Sequence, residues 1–183
     1  MSPQAQQRWG QAQRPSRGPT SGAQCGQRQS VLVVIDMQSQ FAAAESSSLQ
    51  ERVVELIQHA RANHWPIIVL EYASYGETVK SVTDAFAGYD LARVVSKTQN
   101  NGATEVLETC ATYGFSTSDF LIAGVNIGAC VKETVCGLAT TRSTRSLTWV
   151  TAIMEACGDT VPGQWHQYPE LTNVSLVPAL ESL

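Results

Sequence analysis

Val31-Leu32-Val33-Val34-Ile35-Asp36-Met37-Gln38 is the stretch on which the fold turns. Five consecutive branched aliphatic residues leave no polar face, and a strand without a polar face must be covered by protein on both sides. That pattern belongs to the interior of a parallel sheet. The run ends abruptly in a carboxylate, Asp36.

Working outward, the following segments alternate in period. Leu49, Val53, Leu56, Ile57 and Ala60 recur at helical spacing and predict a helix over residues 49–63. Ile67–Leu70 is a second continuous apolar strand. Residues 74–90 read as a loop with a short helix, and Val94-Val95 as a short third strand leading to Ser96-Lys97. A third helix spans 104–113. Phe120–Val125 is a fourth strand, Cys130–Thr140 a helix, and Leu147–Ile153 a fifth strand. A weaker helix is expected at 160–166 and a last strand at 174–177. Strand and helix in alternation imply an α/β fold, a parallel sheet with helices on both faces joined by right-handed crossovers. In such folds ligands bind beyond the carboxyl ends of the strands.

Upstream of Val31 the sequence changes character. Residues 1–30 are rich in Gln, Arg, Pro, Gly and Ser, carry four arginines and no acid, and offer Trp9 as the one large aromatic. Such a segment cannot bury enough surface to offset its ordering entropy. The expected division is therefore a disordered tail over 1–30 and one domain over 31–183.

The 183 residues carry a net charge of -4, which argues against nucleic acid as a partner. No apolar run reaches the roughly 18 residues of a membrane span, so no membrane partner is expected. The five cysteines include no Cys-x-x-Cys pair, fitting free thiols in a reducing, cytoplasmic compartment.

Three features fall at the expected carboxyl edge. Asp36 follows a buried strand, where desolvation raises a carboxyl pKa and makes a base, although a helix cap would also suit it. Lys97 ends a short strand and, if turned inward, would hold anionic groups in place. Cys130 follows the turn Gly124-Val125-Asn126-Ile127-Gly128-Ala129 and opens a helix, whose positive end would favour the thiolate. A nucleophile, a base and a cation at three strand ends make nucleophilic catalysis plausible.

These residues resemble the isochorismatase-like cysteine hydrolase superfamily, which includes nicotinamidases, carbamoylsarcosine and ureidoacrylate amidohydrolases, and isochorismatases. The resemblance rests on Asp36-Met37-Gln38 after an apolar strand, Lys97 before a polar turn reaching Gly102, and Gly124-Val125 with Cys130-Val131 and Thr134. It implies a three-layer, Rossmann-like fold with a six-stranded parallel sheet. It also implies a triad of Asp36, Lys97 and Cys130, and a cis peptide at Val125–Asn126 that aims the N–H groups of Asn126 and Cys130 at an oxyanion. Gln38, Phe41, Glu71, Tyr72 and Tyr75 would line the substrate pocket. The implied reaction is hydrolysis of a small amide or carbamoyl compound through a thioester. The alternatives are Asp36-centred vinyl-ether hydrolysis and a non-catalytic relative that binds a metabolite or a partner. Residues 70–76 lack the histidine with which nicotinamidases bind metal, so no metal or other cofactor is expected. A homodimer or higher homo-oligomer is implied by the resemblance.

Overall fold

The computed structural model describes residues 29–141, 148–161 and 164–182. The expected tail therefore lies outside the described residues, save for Gln29 and Ser30. Ser30 is buried, and its hydroxyl donates to Asp119 Oδ2 at 3.0 Å.

Six strands form one sheet: β1 (Val31–Ile35), β2 (Ile67–Tyr72), β3 (Ala92–Lys97), β4 (Asp119–Val125), β5 (Trp149–Gly158) and β6 (Val174–Val177). Their order is β3-β2-β1-β4-β5-β6, and every pairing is parallel. β1, whose five residues are all wholly buried, lies in the middle between β2 and β4. Strand order runs outward in one direction from β1 and in the other from β4, so the gap between their carboxyl ends is the switch point where doubly wound folds open a crevice.

Alternate side chains of each strand feed separate cores. Leu32 and Val34 of β1, with Ile67 and Val69 of β2, pack under α1 (Ser47–Ala62) and α2 (Lys80–Phe86) through Leu49, Val53, Leu56, Ile57, Val82 and Phe86. Val31, Val33 and Ile35 face the other way, onto α3 (Ala103–Tyr113) and α4 (Lys132–Thr140) through Val106, Cys110, Val135 and Leu138. Each fully buried aliphatic side chain contributes about 1.5–3 kcal/mol.

Three elements differ from the sequence expectation. β3 runs over 92–97, so Lys97 is its last residue and pairs in register with Tyr72. β5 continues to Gly158, because a register shift between Ile122 and Gly124 lets Cys157 and Gly158 keep pairing with β4. Leu147, the expected start of that strand, lies outside the described residues. Of the expected helix at 160–166, residues 162–163 lie outside the described residues, and 164–166 belong to a single 3-10 turn, Gln164–Gln167.

Gly124 makes the β1–β4 contact possible. Its φ of 131° is a conformation that side chains disfavour, and a Cβ there would strike the carbonyl oxygen and nitrogen of Ile35. The residue after that carbonyl is Asp36. Gly124→Ala should therefore lower stability by about 2–4 kcal/mol, read as a fall in the urea unfolding midpoint.

Candidate active site

Asp36 leaves β1 with its N–H donated to Leu70 O at 2.9 Å and takes a left-handed φ of 53°. A non-glycine residue in that region stores strain that the surrounding structure must hold in place. The turn swings the carboxylate beneath the sheet edge, where it is fully buried.

Lys97, at the end of β3, is 1% exposed, and its ammonium lies 2.9 Å from Asp36 Oδ2. The same Nζ donates to Gln99 O at 3.1 Å and sits 4.4 Å from the Tyr72 ring centroid. The stem fits because residue 102 is glycine: a Cβ there would run into Leu70 Cδ1 and stand 3.1 Å from Lys97 Cδ. Thr134 Oγ1 on α4 accepts from Gly102 N at 3.0 Å and donates to Asn100 O at 3.3 Å, pinning the lysine's loop to the helix that follows the cysteine.

Cys130 belongs to a π-helical turn, Ile127–Val131, and α4 begins only at Lys132. The expectation that it opens a helix with a lowered thiol pKa is thus overturned. Burial pushes the thiol up to about 12, the negative charge of Asp36 adds to this, and Lys97 opposes it only partly. At neutral pH the resting group is a thiol. Its hydrogen bond goes to Asn100 Oδ1 at 3.6 Å.

The Asp36 carboxyl is pushed above its ordinary 3.8, first by burial, with Lys97 and then Cys130 pulling it back. Oδ2 is taken by Lys97, while Oδ1 is buried with no well-formed hydrogen bond, although the Cys130 thiol lies near enough to act on the same carboxyl. A buried acceptor left in that state costs about 1–3 kcal/mol.

The expected oxyanion arrangement needs correction. Among the described residues no peptide bond is cis, Val125–Asn126 included. Asn126 instead reverses the chain through a φ of 68°, and its N–H is donated to Gly158 O at 2.9 Å by the extended β4–β5 pairing. That donor is not free for a ligand. The Asn126 carbonyl accepts from Ala129 N and Val131 N at 2.9 and 3.1 Å, and Asp159 Oδ2 accepts from Gly128 N at 3.0 Å, which ties the cysteine's turn to the end of β5.

The remaining residues expected at the pocket divide into two groups. Gln38 is buried and its amide is spent on backbone: Nε2 donates to Tyr72 O and Gly76 O, and Oε1 accepts from Tyr72 N at 2.7 Å. Glu71 Oε1 accepts from both N and Oγ1 of Thr78. These two side chains shape the loop after β2. Phe41 and Tyr75 stack at 4.7 Å with ring planes 4° apart, and Tyr72 meets Tyr75 edge-on at 5.3 Å. Aromatic surface thus leads from half-exposed Tyr75 to Tyr72 and the Lys97 ammonium.

Sequence reasoning does not reach Asn100 or Asp159 as site residues, and it reaches Gly102 only as the end of the polar turn after Lys97. Asp159 follows a buried strand just as Asp36 does, and the same logic would reach it once β5 is known to end at Gly158. Asn100 carries no such signal, since its approach to sulfur depends on how the 97–102 loop folds over α4.

The ion pair makes a thermodynamic prediction. Asp36 holds its proton more readily folded than unfolded, so its contribution favours folding below the ordinary pKa of 3.8 and fades as pH rises through the raised folded value. Asp36→Asn or Lys97→Met alone leaves one buried group unpaired and should destabilise by about 3 kcal/mol or more. The double substitution Asp36→Asn/Lys97→Met should recover most of that loss in urea unfolding at pH 7. Additive losses would show that the two side chains do not compensate each other.

The isochorismatase domain model matches residues 30–168, more than half of the chain. No curated protein matches it in sequence. Among solved structures, a MAR1 ribonuclease from Caenorhabditis elegans superposes with a TM-score of 0.62 at 23% identity, over 75% of this chain and 69% of that one. An N-carbamoylsarcosine amidase from Thermoplasma acidophilum gives 0.61 at 14% identity, over 81% and 95%. A nicotinamidase/pyrazinamidase from Bacillus subtilis gives 0.65 at 11%, over 81% and 99%. At those identities the superpositions speak for the fold, an α/β six-stranded parallel sheet with flanking helices. The matched domain, together with that fold, places the chain in the isochorismatase family of hydrolases.

Proposed function

We propose that the protein hydrolyses a small amide or carbamoyl compound by nucleophilic attack of Cys130, with Asp36 as proton carrier and Lys97 as its fixed countercharge. The observation that carries this reading is the unpartnered Oδ1 of Asp36, in a carboxylate whose other oxygen is held by Lys97 at 2.9 Å. The structural likeness to an N-carbamoylsarcosine amidase and a nicotinamidase supports C–N bond cleavage as the reaction type.

The steps follow from the protonation states. A thiol raised to about 12 is not ionised before substrate arrives, so its proton passes to Asp36 Oδ1 as sulfur attacks the carbonyl carbon. The carbonyl π pair moves onto oxygen, and the Cys130 N–H receives that charge. As the C–N bond breaks, Asp36 gives its proton to the departing nitrogen, leaving a thioester. Water then gives a proton to Asp36 and adds to the thioester carbon. Sulfur leaves and regains its proton from Asp36. Throughout, Lys97 lets Asp36 alternate between charged and neutral forms without moving.

A raised Asp36 is also what proton donation to a vinyl ether requires, and this supports a second reading as an Asp36-centred vinyl-ether hydrolase. Turnover of small primary amides and carbamoyl compounds should fall about 10³-fold or more in both Cys130→Ala and Asp36→Asn. Amide turnover surviving Cys130→Ala removes the nucleophilic mechanism. Vinyl-ether turnover retained in Cys130→Ser and lost in Asp36→Asn selects the second reading. We further propose a homo-oligomer, in line with an Escherichia coli neighbour described as an octameric hydrolase of unknown specificity. A monomer mass in light scattering would refute it.

A further inference from the structure

The thiol's resting partner has no place in those steps. Cys130 Sγ donates to Asn100 Oδ1 at 3.6 Å, and it lies within reach of Asp36, whose Oδ1 has no well-formed hydrogen bond. The orientation of the Asn100 carboxamide follows from its other end: Nδ2 donates to Glu133 Oε1 at 3.3 Å, which turns the oxygen toward sulfur. Its backbone is held independently, since its carbonyl accepts from Thr134 Oγ1 and Thr134 in turn holds Gly102 N. An acceptor built this firmly beside the nucleophile is left empty when the thiol turns to Asp36.

We propose that Asn100 Oδ1 is a shared acceptor and a specificity determinant: it holds the Cys130 thiol when the site is empty, and takes an N–H from the substrate's reacting amide or carbamoyl group once the thiol has turned to Asp36. This rests on cysteine-dependent C–N hydrolysis as the reaction. A substrate with an N–H on the reacting carbonyl replaces the bond that the thiol gives up. An ester or a fully substituted amide leaves Oδ1 unpaired, and a partly buried acceptor without a partner penalises its binding. The selected class is therefore primary or monosubstituted amides and carbamoyl compounds.

The test alkylates Cys130 in the full chain with iodoacetamide and with methyl iodoacetate at one fixed pH of about 8, read as rates at that cysteine by peptide mass spectrometry. The first probe carries the N–H group and the second does not. Asn100→Leu removes the acceptor that favours the thiol, so the alkylation rate should rise and the preference for iodoacetamide should fall about fivefold. Asn100→Asp keeps an acceptor and adds negative charge, so the rate should fall with the preference retained. Opposite changes cannot come from general loosening of the fold. Changes in the same direction, no change in either variant, or an unchanged preference in Asn100→Leu overturn the proposal. Amide turnover that survives Cys130→Ala sinks the hydrolytic reading instead, and does so without touching the alkylation result.

Discussion

A lysine and an aspartate, both removed from water at the end of a parallel sheet, set the terms for everything around them. At a separation of 2.9 Å with neither side chain exposed, each is intolerable without the other. The desolvation of two ions offsets most of their attraction, so the pair adds little to stability. It does fix a geometry: the carboxylate has one oxygen held by Lys97 and one without a well-formed hydrogen bond, and the Cys130 thiol acts on the same carboxyl. The sheet exists on either side of this pair as two well-filled hydrophobic layers, which is how the fold tolerates polar strain at its rim.

That strain is concentrated where chemistry is proposed. Asp36 and Asn126 both take left-handed backbone conformations, and Gly124 lies against the backbone of Ile35. All three stand at the β1–β4 junction, where the connections diverge to opposite faces. The crossover pattern opens the crevice, and the tight approach at Gly124 places the two chain reversals side by side. The cost of each reversal is of order 1–3 kcal/mol and is borne by the buried strands beneath them.

The layered fold was legible because β1, β2 and β4 have no polar face, and only a doubly covered sheet accommodates such strands. Asp36 was legible for the same reason, as a polar group directly after an apolar run, whereas Lys97 and Cys130 were legible only as the residues reached soon after the third and fourth strands. Local geometry was not. Whether Cys130 opens an α-helix or sits in a wider π turn depends on the Asn126 carbonyl collecting two N–H groups, which is a tertiary outcome. The availability of the Asn126 N–H depended on where β5 stops, and the register shift that carries β5 to Gly158 has no mark in the sequence beyond Gly124. The resemblance implies Gln38 and Glu71 as pocket residues, but a buried amide and a half-buried carboxylate must satisfy their own hydrogen-bonding groups first, and Tyr72, Gly76 and Thr78 supply the partners.

Gln38 has a further consequence. It stands two residues from Asp36, yet its amide grips the strand end at Tyr72 and the turn at Gly76. The backbone beside the buried carboxylate and the loop after β2 are thus held together through one side chain. A substitution that shortens Gln38 would release both at once, so the placement of Asp36 depends on a residue that never touches it.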